Sequence, residues 1–304
     1  MAATSGLHHV ALGVNDLAGM RDFYRDVAGF TQVLAAFEDV APEAMHEVAR
    51  NSELVFGGAV VSQPSGGVQL EFLRVTRPPP RALRKDPRYG DIGVGHLSLA
   101  VADLGAFHAV AKGRLAFCGA PRVAKSPGAQ DRAFVFARDP EGNLVEFVQA
   151  QRGVGGVISI GVGVTDIDRS IGFYRAVLEL TEPPRGPHEA FSGLVDEAAA
   201  GEGVRVRACS LATGPDAATL DLIEVSNPRG RSIPFAANWG DFGWLQVCFS
   251  CGDIGATTAR LERAGAVLLC SPKPAGEGSF EETGAFVYAR DPDGVPIEFL
   301  FLPQ

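Results

Sequence analysis

A fourfold internal repeat is the feature that most constrains this chain. The segment His9-Val-Ala-Leu-Gly-Val-Asn-Asp16 returns as His96-Leu-Ser-Leu-Ala-Val-Ala-Asp103. It returns again as Ser159-Ile-Gly-Val-Gly-Val-Thr-Asp166 and as Gln246-Val-Cys-Phe-Ser-Cys-Gly-Asp253, and the step from 9 to 96 equals the step from 159 to 246. Copies so spaced mean one supersecondary unit built four times, and the differences between them mark where chemistry sits. In the first copy Val10, Leu12 and Val14 alternate with His9, Ala11 and Gly13. That period of two is a strand, with one face on a core and the other lined by small residues beside the histidine. The Asp that closes each copy is placed to cap a following helix. The first such helix reads LAGMRDFYRDVAGF, with Gly29 as its stop, and its FYR returns at 173–175.

Each copy also ends in an apolar strand carrying an acid: Glu71 in VQLEFL, Glu146 in LVEFV, Glu224 in LDLIEV and Glu298 in PIEFLF. Asp-Pro-Glu-Gly and Asp-Pro-Asp-Gly, inside FVFARDPEGNLVEFV and FVYARDPDGVPIEFLF, are hairpin turns between apolar runs. The expected fold is therefore α+β, made of four βαβββ modules. The first domain covers 1–150, with modules at 6–76 and 92–150. The second covers 155–304, with modules at 155–226 and 241–302. RPPPR at 77–81, AQRGVGG at 150–156 and SNPRGRSIPF at 226–235 read as the joints.

The 304 residues, 46% hydrophobic and 21% charged, are enough for two packed cores. A net charge of −9 argues against nucleic-acid or anionic-membrane partners. No run approaches the ~18 apolar residues of a spanning helix, and MAATSG lacks the parts of a signal peptide, so a cytoplasmic protein is expected. Cys248-Phe-Ser-Cys251 forms a CxxC, but it lies within a strand pattern and has no second pair. Buried strand thiols are the expectation.

The H-x-x-L-x-V-x-D strand, the FYR helix and the DP-[ED]-G-x-x-x-E-F strand pair resemble the vicinal oxygen chelate (VOC) superfamily. That superfamily includes glyoxalase I, methylmalonyl-CoA epimerase, extradiol dioxygenases and the fosfomycin- and bleomycin-resistance proteins. The resemblance spans nearly the whole chain and implies two half-barrel VOC domains, each formed by a pair of modules. It places metal ligands on the first and last strands of each module, here His9, Glu71, His96 and Glu146. The second-half counterparts are Ser159, Glu224, Gln246 and Glu298, which read as a degenerate metal site. Since the four best ligands share the first half, modules one and two are expected to pair; pairing one with four would leave two half-sites. A glutamate inside an apolar strand needs a partner, and a divalent cation supplies one.

Other residues read more plainly. His8 belongs to the strand face opposite His9. His46 and His108 sit on helices, His46 on a segment suited to a lid, and the sequence is silent on His188. Arg138 and Arg290, in the repeated ARDP, are expected to pair with nearby acids.

The resemblance implies one divalent metal, with Zn, Ni, Co, Mn and Fe all compatible with imidazole and carboxylate donors. It implies a small-molecule substrate and admits a homodimer. The leading expectation is a glyoxalase- or epimerase-like lyase or isomerase, with enediolate or enolate chemistry stabilised by the metal and Glu146 or Glu71 as base. The alternatives are an Fe(II) extradiol-type dioxygenase using His9, His96 and Glu146, and a non-catalytic, resistance-type binding protein.

Overall fold

The computed structural model describes residues 4–125, 131–150, 156–214, 218–232, 238–276 and 279–303. Residues 151–155 of the joint at 150–156 and 233–235 of the joint at 226–235 lie outside the described residues. Module one comprises β1 (Thr4–Gly13), α1 (Leu17–Ala28), β2 (Gln32–Val40), α2 (Glu43–Ala49), β3 (Val55–Ser62) and β4 (Gln69–Arg77). Module two follows with β5 (Gly93–Val101), α3 (Leu104–Ala111), β6 (Ala116–Phe117), β7 (Arg122–Ala124), β8 (Arg132–Arg138) and β9 (Leu144–Gln149). Module three holds β10 (Val157–Gly163), α4 (Ile167–Val177), β11 (Arg185–His188), α5 (Asp196–Ala199), β12 (Arg205–Ala212) and β13 (Thr219–Asn227). Module four has β14 (Gly243–Cys251), α6 (Ile254–Arg263), β15 (Val267–Leu268), β16 (Lys273–Pro274), α7 (Phe280–Thr283), β17 (Ala285–Arg290) and β18 (Pro296–Phe301).

The repeated Asp residues do cap the helices. Asp16, Asp103, Asp166 and Asp253 accept from the backbone N–H of Gly19, Ala106, Arg169 and Ala256 at 2.9–3.0 Å, satisfying one free donor of each first turn. Gly29 ends α1 at φ 72°, a left-handed conformation that costs glycine little. In every module the opening strand runs parallel to the acid-bearing strand, so Ala11 faces Glu71, Ser98 faces Glu146, Gly161 faces Asp221 and Cys248 faces Glu298.

The pairing of modules is not the one expected. One sheet runs β15-β17-β18-β14-β1-β4-β3-β2 and joins module one to module four across the antiparallel pair β1·β14. The other runs β11-β12-β13-β10-β5-β9-β8-β6 and joins module two to module three. Each sheet therefore takes one module from each half of the chain, which overturns the pairing of module one with module two. The physical reason lies in the described parts of the connections between sheets, 78–92, 228–232 and 238–242, which bind one another. Arg231 grips Asp91 at 2.6 and 2.8 Å, and the backbone N–H of Arg81 donates to Asp241 at 2.8 Å. Short bridges add Ala82 to Phe242 and Ile92 to Gly163.

Consecutive modules meet on the helical side instead. The Tyr24 hydroxyl of α1 donates to Asp139 of the first DP turn at 3.2 Å, and Tyr174 of α4 donates to Asp291 of the second at 2.8 Å. Glu141 of that first turn accepts from the N–H groups of Asn15 and Asp16. The helix-facing residues of both sheets, Val10, Leu12, Leu97, Leu99, Ile160 and Val247 among them, share one continuous core with these helices. Arg138 and Arg290 do not pair with acids as expected. They donate to the carbonyls of Gly142 and Gly294, both at 2.7 Å, and so hold the DP turns closed.

Two local predictions follow from this packing. A Cβ at Gly13 would lie 2.2 Å from the Asp241 carbonyl, and one at Gly163 would lie 2.0 Å from the Asp91 carbonyl. Each strand end thus presses on a crossing segment, and Gly13→Ala and Gly163→Ala should each cost at least about 1–3 kcal/mol in denaturant unfolding, with an unchanged midpoint refuting the contact. Burial lifts the carboxyls of Asp139 and Asp291 to about 6, although backbone and tyrosine donors partly oppose it. The folded state therefore holds these protons between roughly pH 4 and 6 while the unfolded chain releases them, so their contribution to stability falls as pH rises through that window. Carboxyl carbon shifts should titrate near 6; midpoints near 4 would refute the assignment.

Candidate metal centre

In the first sheet β1 and β18 bring His9 between two carboxylates. His9 Nε2 lies 3.4 Å from Glu71 Oε2 and 3.1 Å from Glu298 Oε2. All three side chains are largely buried, and His9 Nε2 has no hydrogen-bond partner. The other ring nitrogen, Nδ1, lies 2.9 Å from Nδ1 of His8. Adjacent strand residues ordinarily face opposite ways, but the β1·β14 ladder slips between Leu7 and His9, and this bulge turns His8 to the cavity beside His9. The expectation that His8 belongs to the opposite face is thereby corrected. Burial and the neighbouring His9 push His8 down to about 4, so it is neutral and able to accept from His9 Nδ1–H. That bond aims Nε2 of His9 at the two carboxylates.

Burial opposes a charge on His9, yet the Glu298 carboxylate beside it favours one, and the ring is raised well above the ordinary imidazole range. A ring caught between two buried carboxylates needs positive charge, and an unpartnered Nε2 is where a cation would bind. The donor set, one imidazole nitrogen and two carboxylates, fits a divalent ion. His8, His9 and Cys248 also offer three ligand atoms within 4.8 Å of one another, but burial raises the Cys248 thiol far above its usual range.

Gln246 braces this centre. Its Nε2 donates to Glu298 Oε2 and to the Tyr288 hydroxyl, both at 2.8 Å, while its Oε1 accepts from Trp239 Nε1 at 3.0 Å. An indole N–H can only donate, so Trp239 decides which way the amide points. The amide oxygen faces Trp239, and Gln246 holds Glu298 in place. Beside the cluster opens a cavity of about 460 Å³, bordered by Glu71, Glu298, Trp239 and Tyr288 and roofed by Pro42 and Met45 at the start of α2. His46, on the same helix, is not among the residues bordering it.

The second sheet carries the equivalent positions but fills them differently. His96, Glu146, Ser159 and Asp221 converge there around the guanidinium of Arg132. Its Nη2 bonds Glu146 at 2.5 Å, its Nη1 lies 3.6 Å from Asp221, and its carbon sits 5.8 Å from the Phe191 ring centre. Ser98 donates to the same Glu146 oxygen at 2.5 Å, and Ser159 donates to Ser98 at 2.9 Å. Burial opposes ionisation of Glu146, but Arg132 and His96 outweigh it and keep the carboxyl below its usual range. His96 is lowered, chiefly by burial, and packs between Tyr89 at 5.6 Å and Phe136 at 5.1 Å.

The predicted quartet His9, Glu71, His96 and Glu146 is therefore divided between two sheets and does not assemble. His9 and Glu71 join Glu298 and Gln246, whereas His96 and Glu146 close on Arg132. Glu146, expected as a base, is held by Arg132 and Ser98. Glu224 is not the counterpart of Glu71: it accepts from Ile167 N–H at 3.0 Å and from Arg207 at 3.1 Å. Asp221 occupies that register, and aligning VQLEFL with ATLDLI would have found it. Trp239, Tyr288 and Arg132 carried no sequence signal.

Two sheets of paired βαβββ modules, with a carboxylate and imidazole cluster on an opening strand, define a tandem vicinal oxygen chelate protein. The Glyoxalase/Bleomycin resistance protein/Dioxygenase superfamily model matches residues 6–147 and 156–299, and this chain belongs to that superfamily. Glyoxalase I from Zea mays superposes with a TM-score of 0.67 at 16% identity, over 97% of this chain and 92% of that one. A single-residue variant of the same enzyme gives 0.68 at 18% identity, over 98% and 94%. A putative dioxygenase from Bacillus subtilis subsp. subtilis str. 168 gives 0.63 at 14% identity, over 100% and 87%. No curated protein matches the sequence. Among the described residues no helix is long and apolar enough to cross a membrane.

Proposed function

We propose that this chain is a metal-dependent lyase or isomerase that moves a proton between carbons of a small oxygenated substrate. His9, Glu71 and Glu298 hold the divalent cation, braced by Gln246. The observation that carries this reading is the buried Nε2 of His9, which makes no hydrogen bond and lies between two carboxylates on the wall of a cavity. A cation there supplies Lewis acidity toward a substrate oxygen, lowering the cost of negative charge as a neighbouring C–H proton leaves.

Glu71 is the base. Its carboxylate borders the cavity, and among the described residues its one polar side-chain partner is His9. Glu298, by contrast, is restrained by Gln246. Glu71 takes the proton from one carbon and returns it to the adjacent carbon, while Glu298 keeps its anchoring place. A two-histidine, one-carboxylate dioxygenase set is not favoured, since His96 and Glu146 lie in the other sheet.

The test is proton exchange. Protein loaded with Co²⁺ or Zn²⁺ should exchange deuterium from D₂O into the α-carbon of simple α-hydroxy ketones. Glu71→Gln should slow that exchange by about a hundredfold or more. Exchange at the wild-type rate in Glu71→Gln, or no stoichiometric cation in the wild type, would refute the reading.

A further inference from the structure

The walls of the cavity show which substrates this centre accepts. Five aromatic rings border it: Phe37, Phe56, Trp239, Phe286 and Tyr288. Phe37 meets Phe56 edge to face at 5.6 Å, and Phe56 meets Trp239 likewise at 5.1 Å. On the module-four side Phe286 meets Tyr288 at 5.7 Å. Among the described bordering residues there is no Lys or Arg, and besides the His8–His9 pair the ionisable side chains present are Glu71 and Glu298. Lys273, on the strand beside Phe286, is engaged by Glu47 of α2 at 2.7 Å and is not a bordering residue.

A divalent cation among two carboxylates leaves little net positive charge for a second anion. A substrate carrying a phosphate, a pyrophosphate or several carboxylates would lose its water here without gaining a cationic partner. An aromatic or bulky apolar body instead finds ring edges and faces on both sides. The volume, about 460 Å³, lies within the roughly 300–1,000 Å³ range of small-molecule sites.

Resting on the metal-centre reading above, we infer that the oxygenated substrate carries an uncharged aromatic or bulky apolar group. Compounds carrying a phosphate or several carboxylates are excluded as the main substrates. The geometry that carries this is the aromatic wall facing His9, Glu71 and Glu298 across a cavity whose described border holds no Lys or Arg.

Three hydroxamic acids separate ring from charge, because each presents the same pair of oxygens. Titrated into the Co²⁺-loaded protein by calorimetry, benzohydroxamic acid should bind about tenfold or more tighter than acetohydroxamic acid. 4-Carboxybenzohydroxamic acid should bind about tenfold or more weaker than benzohydroxamic acid. Phe37→Ala, at the partly exposed end of the wall, should narrow the first difference. Equal binding of the benzo and aceto compounds, or a carboxylated compound that binds as tightly as its parent, would overturn the inference. An unchanged ring preference in Phe37→Ala would also overturn it. A Co²⁺ titration of the same preparation distinguishes the two levels: without one equivalent of bound Co²⁺ the metal centre itself fails, and the substrate inference falls with it.

Discussion

His9→Ala should abolish stoichiometric binding of a divalent cation, while His96→Ala should leave it intact. His9 Nε2 stands at 3.1 and 3.4 Å from two carboxylate oxygens with no hydrogen-bond partner, so its removal takes away the one nitrogen donor of the cluster. Displacing a group that merely orients a ligand costs about 10–100-fold in affinity, and losing the ligand itself should cost more than about a hundredfold. His96 packs between Tyr89 and Phe136 in the other sheet, so His96→Ala should lower stability through lost contacts without changing metal stoichiometry. Metal analysis and calorimetric titration of both variants check this. Equal losses in the two would restore a shared centre spanning the sheets and refute the division described above.

The second large effect concerns Arg132. Its guanidinium is the positive charge that Glu146 and Asp221 require, at 2.5 and 3.6 Å. Arg132→Ala removes that charge and leaves two carboxylates beside His96 without it. Breaking one side of a buried pair costs about 3–5 kcal/mol, and destabilisation of that order is expected in metal-free buffer. The remaining side chains, His96, Glu146 and Asp221, repeat the donor types of His9, Glu298 and Glu71. Added Zn²⁺ or Co²⁺ should therefore restore much of the lost stability and raise the bound metal from one equivalent to two. Thermal unfolding with and without metal, with the stoichiometry measured in parallel, decides it. A variant as stable as wild type, or one that metal does not rescue, would show that Arg132 is not standing in for a cation.

The two sites show how far residue-level reading reaches. The strand histidine and strand carboxylate were visible as chemistry because an ionisable group inside an apolar run must find a partner. Gln246 looked like the loss of a site, yet it is the side chain that steadies Glu298 through Tyr288 and Trp239. LDLIEV holds two acids, and the parallel ladder opposite Gly161 puts Asp221, not Glu224, in the register of Glu71. Arg132 belongs to no repeated motif. It matters because β8 sets its guanidinium against a carboxylate on the neighbouring strand β9.

What the sequence determined by itself is the module: its alternating strand, its Asp-capped helix, its DP turn and the acid opposite the opening strand. These features arise between residues close in the chain, where period, caps and turn chemistry act directly. Tertiary structure alone decided which modules share a sheet. Opening strands of related modules offer similar edges to one another, so local pattern cannot choose among partners. The choice rests with the crossing segments, where Asp91 meets Arg231 and Asp241 meets the backbone of Arg81. Those contacts join residues roughly half the chain apart, and they place His9 with Glu298 and leave His96 to Arg132.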